Sequence, residues 1–145
     1  MIHFEDITEV NWRIPLTVSK QQEKYVSSSM KLLARAYAYR NQGCFACLIY
    51  NDVEPVGMAL YHDCPELDAY DFSQLFIDER FQGKGYGKEA TKMIIERMRA
   101  EKKYNKIVLC YKEGNEVAKS MYESLGFRHT GDVDEDEIIM ELYLE

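Results

Sequence analysis

The sequence predicts one α/β domain built on a mixed sheet, and three observations carry that reading. Cys44 to Tyr50 and Val53 to Tyr61 are β-rich runs separated only by Asn51-Asp52, the spacing of a hairpin. Tyr70 to Ile77 is a further strand that runs into a glycine-rich turn and then a helical pattern from Glu89 to Lys103. Ile107-Val108-Leu109-Cys110 is almost continuously apolar, as a strand covered on both faces is. Strand, crossover helix and strand in that order are the signature of a right-handed βαβ unit. A chain of 145 residues suits a single domain, residues 1–145.

Taken in order, Ile2 to Phe4 is a short first or edge strand. Thr8 can cap a helix through Val10, Trp12 and Ile14 that Pro15 interrupts. Gln21 to Val26 is polar and irregular. Ser28 or Ser29 can cap a second helix to Tyr39, with Met30, Leu33, Ala34 and Tyr37 recurring at i, i+3, i+4 and i+7. Gly57, inside a strand, marks a bend or bulge. His62 to Asp68, which contains Pro65, reads as a loop. On the long helix, Ala90, Met93, Ile94 and Met98 make one core-facing stripe. Asn115 to Leu125 is another helix, closed by Gly126 just past its end. Phe127 opens a strand, Asp132 to Glu137 forms a solvated hairpin tip, and Ile138 to Leu144 alternates as a last strand.

Composition removes several function classes. The formal charge of −7, from 25 acids against 18 bases, disfavours a nucleic-acid binder, which needs a basic face. It suits a cationic small substrate drawn in by the field of the whole protein. No run of about 18 apolar residues indicates a membrane span, and Met1 to Asp6 lacks the pattern of a signal peptide. The expected compartment is the cytoplasm. Cys44-Phe-Ala-Cys47 has no second pair to complete a zinc site, and residues three apart on a strand point to opposite faces. No metal is expected; the four cysteines read as buried, reduced thiols.

The chemistry concentrates at Arg80-Phe81-Gln82-Gly83-Lys84-Gly85-Tyr86-Gly87-Lys88, between a strand and a helix. Alternating glycines let backbone N–H groups approach a ligand closely. The first N–H groups of a helix have no internal partner and carry partial positive charge, so the stretch suits a pyrophosphate. A dinucleotide fingerprint needs two residues between its second and third glycines, and here there is one. A Walker loop needs Gly, four residues, then Gly-Lys-Ser/Thr; Gln82 stands at the first position and Glu89 at the last. A second pattern follows, Asn115-x-x-Ala118-x-x-x-Tyr122-x-x-x-Gly126-Phe127, with Asn115, Ala118 and Tyr122 along one helix face.

Gln82-x-x-Gly85-x-Gly87 resembles the acetyl-coenzyme A pyrophosphate loop of the GNAT N-acetyltransferase superfamily, and the Asn115–Phe127 pattern matches the same superfamily's second motif. The likeness is firm from Leu75 to Phe127. Softer matches at Asn11-Trp12, Gln22 and Val26, Leu33 to Tyr37 and Asp71 to Asp78 are similar to the bacterial spermidine/spermine N-acetyltransferase branch. The resemblance implies a mixed, mostly antiparallel central sheet of six to seven strands, about four helices on both faces, and strands splayed at the coenzyme site. It also implies a possible homodimer, and that the first two helices wall the acceptor site.

The function it implies is acetyl-coenzyme A-dependent acetylation of a primary amine, a polyamine such as spermidine or spermine, by direct attack in a ternary complex. The coenzyme would take Gln82, the backbone from Gly83 to Lys88, and the strand edge at Leu75 and Ile77, with Asn115 capping its helix, touching the ligand, or both. Tyr122 would protonate the departing thiolate. Asp71, Glu23 and Gln74 are the candidate substrate residues, Asp71 also a candidate base; a water chain could serve instead. Tyr37, Tyr61, Tyr70 and Tyr111 could offer aromatic faces to a polyamine. Another amine acceptor (a peptide N-terminus, an amino acid, an aminoglycoside) and a non-catalytic coenzyme A-binding module stand as alternatives.

Overall fold

The computed structural model describes residues 1–26 and 28–145. Its strands are β1 (Ile2–Asp6), β2 (Phe45–Asn51), β3 (Glu54–Cys64), β4 (Ala69–Ile77), β5 (Lys106–Lys112), β6 (Arg128–Asp134) and β7 (Glu137–Tyr143). Its α-helices, among the described residues, are α1 (Ser29–Ala38), α2 (Tyr86–Glu101) and α3 (Glu116–Ser124). The seven strands form one sheet in the order β1-β2-β3-β4-β5-β7-β6, antiparallel throughout except where β4 meets β5. That parallel pair holds only at Tyr70↔Ile107 and Asp71↔Val108. Beyond Asp71 the two strands part, as the resemblance requires.

Two apolar layers flank the sheet. On one face Tyr61, Tyr70, Phe72, Ile107 and Met140 pack against Ala90, Ile94, Ile95 and Met98 of α2, with Ala118 and Tyr122 of α3 and its C-cap Leu125 at the edge. The stripe expected on α2 is therefore largely the buried one. On the other face Leu16, Leu48, Met58, Leu60 and Phe76 surround Leu32 of α1. Leu32 is 1% exposed, and burial of such a side chain contributes about 2 kcal/mol.

Several local expectations change. The helix expected after Thr8 is a single turn. The Thr8 Oγ1 accepts from the N–H groups of Val10 and Asn11, and the Asn11 side chain binds Thr8 N–H and the Asp6 carbonyl. These short polar side chains offer the backbone a turn instead of a helix, and Pro15 ends it. So three α-helices stand where about four were expected.

On α1, Ser28 caps through Lys31 N–H as expected, but of the predicted stripe only Leu33 turns inward: Ala34 is exposed, Met30 is 61% and Tyr37 69% exposed. The buried side carries Leu32, Leu33 and Ala36, one residue out of phase with the expected stripe. The hairpin turn is Asp52-Val53, one residue later than expected, since Asn51 pairs with Glu54. The loop expected at 62–68 shrinks to a 3-10 turn at Pro65–Leu67, because β3 and β4 stay paired out to Cys64↔Ala69. Gly57 lies beside an irregularity in the β2–β3 register, as its place suggested. Of the four thiols, Cys47 is buried, Cys44 and Cys64 are half-buried and Cys110 is exposed.

The end of β4 is fixed by Asp78, 1% exposed at the cap of a 3-10 turn, Glu79–Phe81. Its carboxylate accepts from Thr17 N–H at 2.9 Å, Arg80 N–H at 2.9 Å and Arg80 Nε at 2.8 Å. Burial pushes its pKa up, but the Arg80 and Thr17 hydrogen bonds outweigh burial and hold it below the ordinary value. A depressed carboxyl contributes stability above the unfolded value that is lost as pH falls through the folded one. Asp78→Asn is therefore expected to cost about 2 kcal/mol at pH 7 in urea unfolding. The gap to the parent protein should begin to narrow below about pH 4 and close as the pH falls through the lowered folded value.

Candidate active site

The sequence places glycines where the backbone needs them. Gly83 and Gly85 have φ of 79° and 82°, a left-handed conformation in which a Cβ is strained. Gly85 is also the N-cap of α2 and brings no side chain to satisfy the helix. The first intrahelical bond runs from Glu89 N–H to the Gly85 carbonyl. The N–H groups of Tyr86, Gly87 and Lys88 precede it and are left for a ligand. The helix begins three residues before the expected Glu89, so these residues form its first turn rather than the loop.

These groups open into a cleft of about 680 Å³ between the end of β4 and α3. Leu75, Ile77, Gln82, Gly83, Gly85, Tyr86, Gly87, Lys88, Asn115 and Tyr122 all line it. Of the residues expected at the coenzyme, Lys84 alone does not. The Tyr86 hydroxyl accepts from Asn51 Nδ2, so its side chain is tied to β2. Gln82 Nε2 donates to the Ile77 carbonyl and to Gln22 Oε1, both at 2.8 Å. That amide braces the loop against β4 and against the segment that roofs it. The Asn115 side chain accepts from Ala118 N–H and also lines the cleft.

A second cavity of about 350 Å³ joins the first at Leu75, Asn115 and Tyr122. Glu23, Asp71 and Gln74, the expected substrate residues, line it together. So do Lys31 and Arg35 from α1, Cys110 and Lys112 from β5, and Glu137 from β7. The β3–β4 register slips between Leu60↔Gln74 and Tyr61↔Phe72, which leaves Ser73 as a bulge on the wall of the second cavity. Ser73 Oγ accepts from Arg35 Nη1 at 2.8 Å.

Tyr122 stands where the cavities meet. Its ring packs edge-on between Phe72 and Phe127, at 6.4 and 5.6 Å between centroids. Burial, with the neighbouring Cys110, pushes its pKa up to about 12. Burial also pushes the Asp71 carboxyl above its ordinary value, an effect that His62 and Arg35 partly offset. Tyr61 and Tyr70, expected as possible aromatic faces, belong to the core instead. Their hydroxyls bind Glu101 and the Met98 carbonyl. Tyr37 is exposed beneath Arg40, and Tyr111 lines the second cavity with its hydroxyl against His129.

Glu137, Arg35 and His62 carried no signal in the sequence. Glu137 lay in a stretch read as a hairpin tip, and only the β5–β7 register, Lys112↔Glu137, brings it to the site.

A free helix N-terminus behind a positive-φ glycine turn, opening between splayed strands onto a tyrosine, is the arrangement both motifs called for. The acetyltransferase (GNAT) family model matches residues 4–127. The chain belongs to the GNAT acetyltransferase family. It is an N-acetyltransferase, and enzymes of this family draw the acetyl group from acetyl-coenzyme A. Among its relatives, a spermine/spermidine N(1)-acetyltransferase of Bacillus subtilis (strain 168) is 32% identical, over 83% of this chain and 82% of the relative.

The GNAT fold recurs in solved structures. One is spermidine N-acetyltransferase of Vibrio cholerae in complex with CoA and spermine (TM-score 0.79, 16% identity, 99% of this chain and 95% of that one). Another is the ribosomal-protein-S18-alanine N-acetyltransferase of Escherichia coli (TM-score 0.74, 15% identity, 100% and 95%).

Proposed function

We propose that this enzyme acetylates a primary amino group of a polyamine such as spermidine or spermine, by direct attack on acetyl-coenzyme A in a ternary complex. The observation that carries the reading is the acceptor cavity. Carboxylates from three separate parts of the chain, Glu23, Asp71 and Glu137, face one space that ends at Tyr122. Spaced anions suit a substrate with several ammonium groups along its length. The Bacillus subtilis relative, named for spermine and spermidine, supports the same choice.

Each residue has a physical role in this reading. The pyrophosphate lies on the N–H groups from Gly83 to Lys88, where the α2 dipole favours negative charge. Gln82 holds that turn in shape. Beyond Asp71 the β4 edge has lost β5, so the backbone of Leu75 and Ile77 can pair with the pantetheine amides as an added strand. An N–H near Leu75 stabilises the thioester oxygen as charge develops on it. Asp71 binds the attacking ammonium and accepts its proton. The amine nitrogen then forms the new C–N bond while the C–S bond breaks. Tyr122 supplies a proton to the departing thiolate.

Lys31, Arg35 and Lys112 line the same cavity and favour a second reading. An amino acid or peptide N-terminus would bring a carboxylate or carbonyl for them to meet. Thiol release from acetyl-coenzyme A across a panel of spermidine, spermine, amino acids, a peptide N-terminus and an aminoglycoside separates the two. The expected result is a kcat/KM for spermidine or spermine at least about tenfold above the others, a difference of about 1.4 kcal/mol. A preference for an amino acid or peptide overturns the polyamine reading. Binding without turnover of any amine removes catalysis.

A further inference from the structure

We propose that His62, which does not line the cavity, completes the proton acceptor: the substrate ammonium gives its proton to Asp71, and the imidazole behind Asp71 shares it. This rests on the assignment of Asp71 to the acceptor site.

His62 and Asp71 are direct cross-strand partners on β3 and β4. The His62 ring is 4% exposed and stacks on Tyr39 at 3.9 Å and 13°, which fixes its plane. Its Nδ1 lies 2.8 Å from the Asp63 carbonyl oxygen. A carbonyl can only accept, so Nδ1 carries a proton. In the neutral ring Nε2 therefore presents a lone pair, and it faces Asp71 Oδ2 at 3.9 Å. A lone pair set against a carboxylate has no proton to share, whereas one added proton turns the same geometry into an attractive pair. In water imidazole is the stronger base of the two groups, which is the direction the proposed transfer takes. The carboxylate then regains its charge beside the cavity.

Other groups bear on Asp71 from every side. Arg35 from α1 favours its ionised form and Glu137 from β7 opposes it. Cys110 on β5 and Cys64 on β3 lie within its field. Arg35 is held by Ser73, so its charge is fixed in place.

The step balances without electron transfer. One N–H bond of the ammonium breaks, an O–H bond forms on Asp71, and the proton moves to His62 Nε2 before it leaves to solvent. His62 acts through Asp71 and is a positioning residue, so its test needs more than a fall in rate. The protein has three histidines, His3, His62 and His129, and long-range 1H–15N spectra resolve three imidazoles. In Asp71→Asn, which keeps His62, the pH course of the His62 resonances should move; an unchanged course overturns the proposal. In His62→Gln, kcat should fall about tenfold or more with KM for acetyl-coenzyme A unchanged. The acid limb of kcat/KM should move to lower pH, because one site titrates in place of two. A fall in rate with the acid limb in place also overturns it. An inactive parent enzyme removes the function and the acceptor role with it, while the imidazole titration alone decides whether the pair exists.

Discussion

Tyr122→Phe lowers kcat by about 10²-fold or more and leaves KM for acetyl-coenzyme A nearly unchanged. The ring would stay in place, because Phe72 and Phe127 hold it edge-on and the substitution keeps every carbon. Among the described residues the hydroxyl has no hydrogen-bond partner, so its loss removes no structural bond. What disappears is a proton donor at the junction of the coenzyme cleft and the acceptor cavity. With its pKa pushed up to about 12, Tyr122 stays protonated across the working range and can donate. A coenzyme A thiolate, with an ordinary thiol pKa near ~8.5, leaves more readily when it is protonated as it departs. Steady-state kinetics with the preferred amine, with a thermal melt to show intact packing, reads the effect. Undiminished turnover would take the acid role away from Tyr122.

How far the site was legible depends on the range of the forces that build it. The glycine turn and the first turn of α2 are local. A phosphate cradle needs backbone freedom and a helix start within a few residues, so Gly83, Gly85 and Gly87 announced it. The Asn115–Phe127 stretch was equally local: its N-cap, its inward tyrosine and the C-terminal Gly126 all fall within one helix. The parting of β4 from β5 followed from resemblance alone, since no residue spacing encodes it. The face of α1 was misjudged because Leu32 and Leu33 are adjacent and either could begin a stripe. The patch formed by Leu48, Met58, Leu60 and Phe76 decided between them. His62 against Asp71, and Glu137 near Asp71, depend on strand register, which a slip of one residue would reverse. Gln82 matched its motif, yet its amide protons serve the loop itself.

Gly57→Ala should be among the most destabilising single-methyl additions in the molecule, at about 3 kcal/mol in urea unfolding. The reason is contact rather than dihedral strain, since Gly57 is not among the positive-φ residues. A Cβ there would lie 2.3 Å from the Phe76 carbonyl oxygen and 3.2 Å from Ile77 Cα. Both are backbone atoms and cannot swing away as a side chain could, so β3 and β4 must separate at Gly57↔Ile77. That is where β4 runs on towards the glycine turn and where the Ile77 carbonyl receives Gln82. The same substitution should therefore raise KM for acetyl-coenzyme A several-fold, in the fraction that folds. Gly83→Ala provides the contrast. Nothing lies within 4 Å of its Cβ position, so it carries only the strain of φ 79°, about 1 kcal/mol. Equal unfolding midpoints for the two variants would mean that the strands do not approach as closely at Gly57 as the geometry requires.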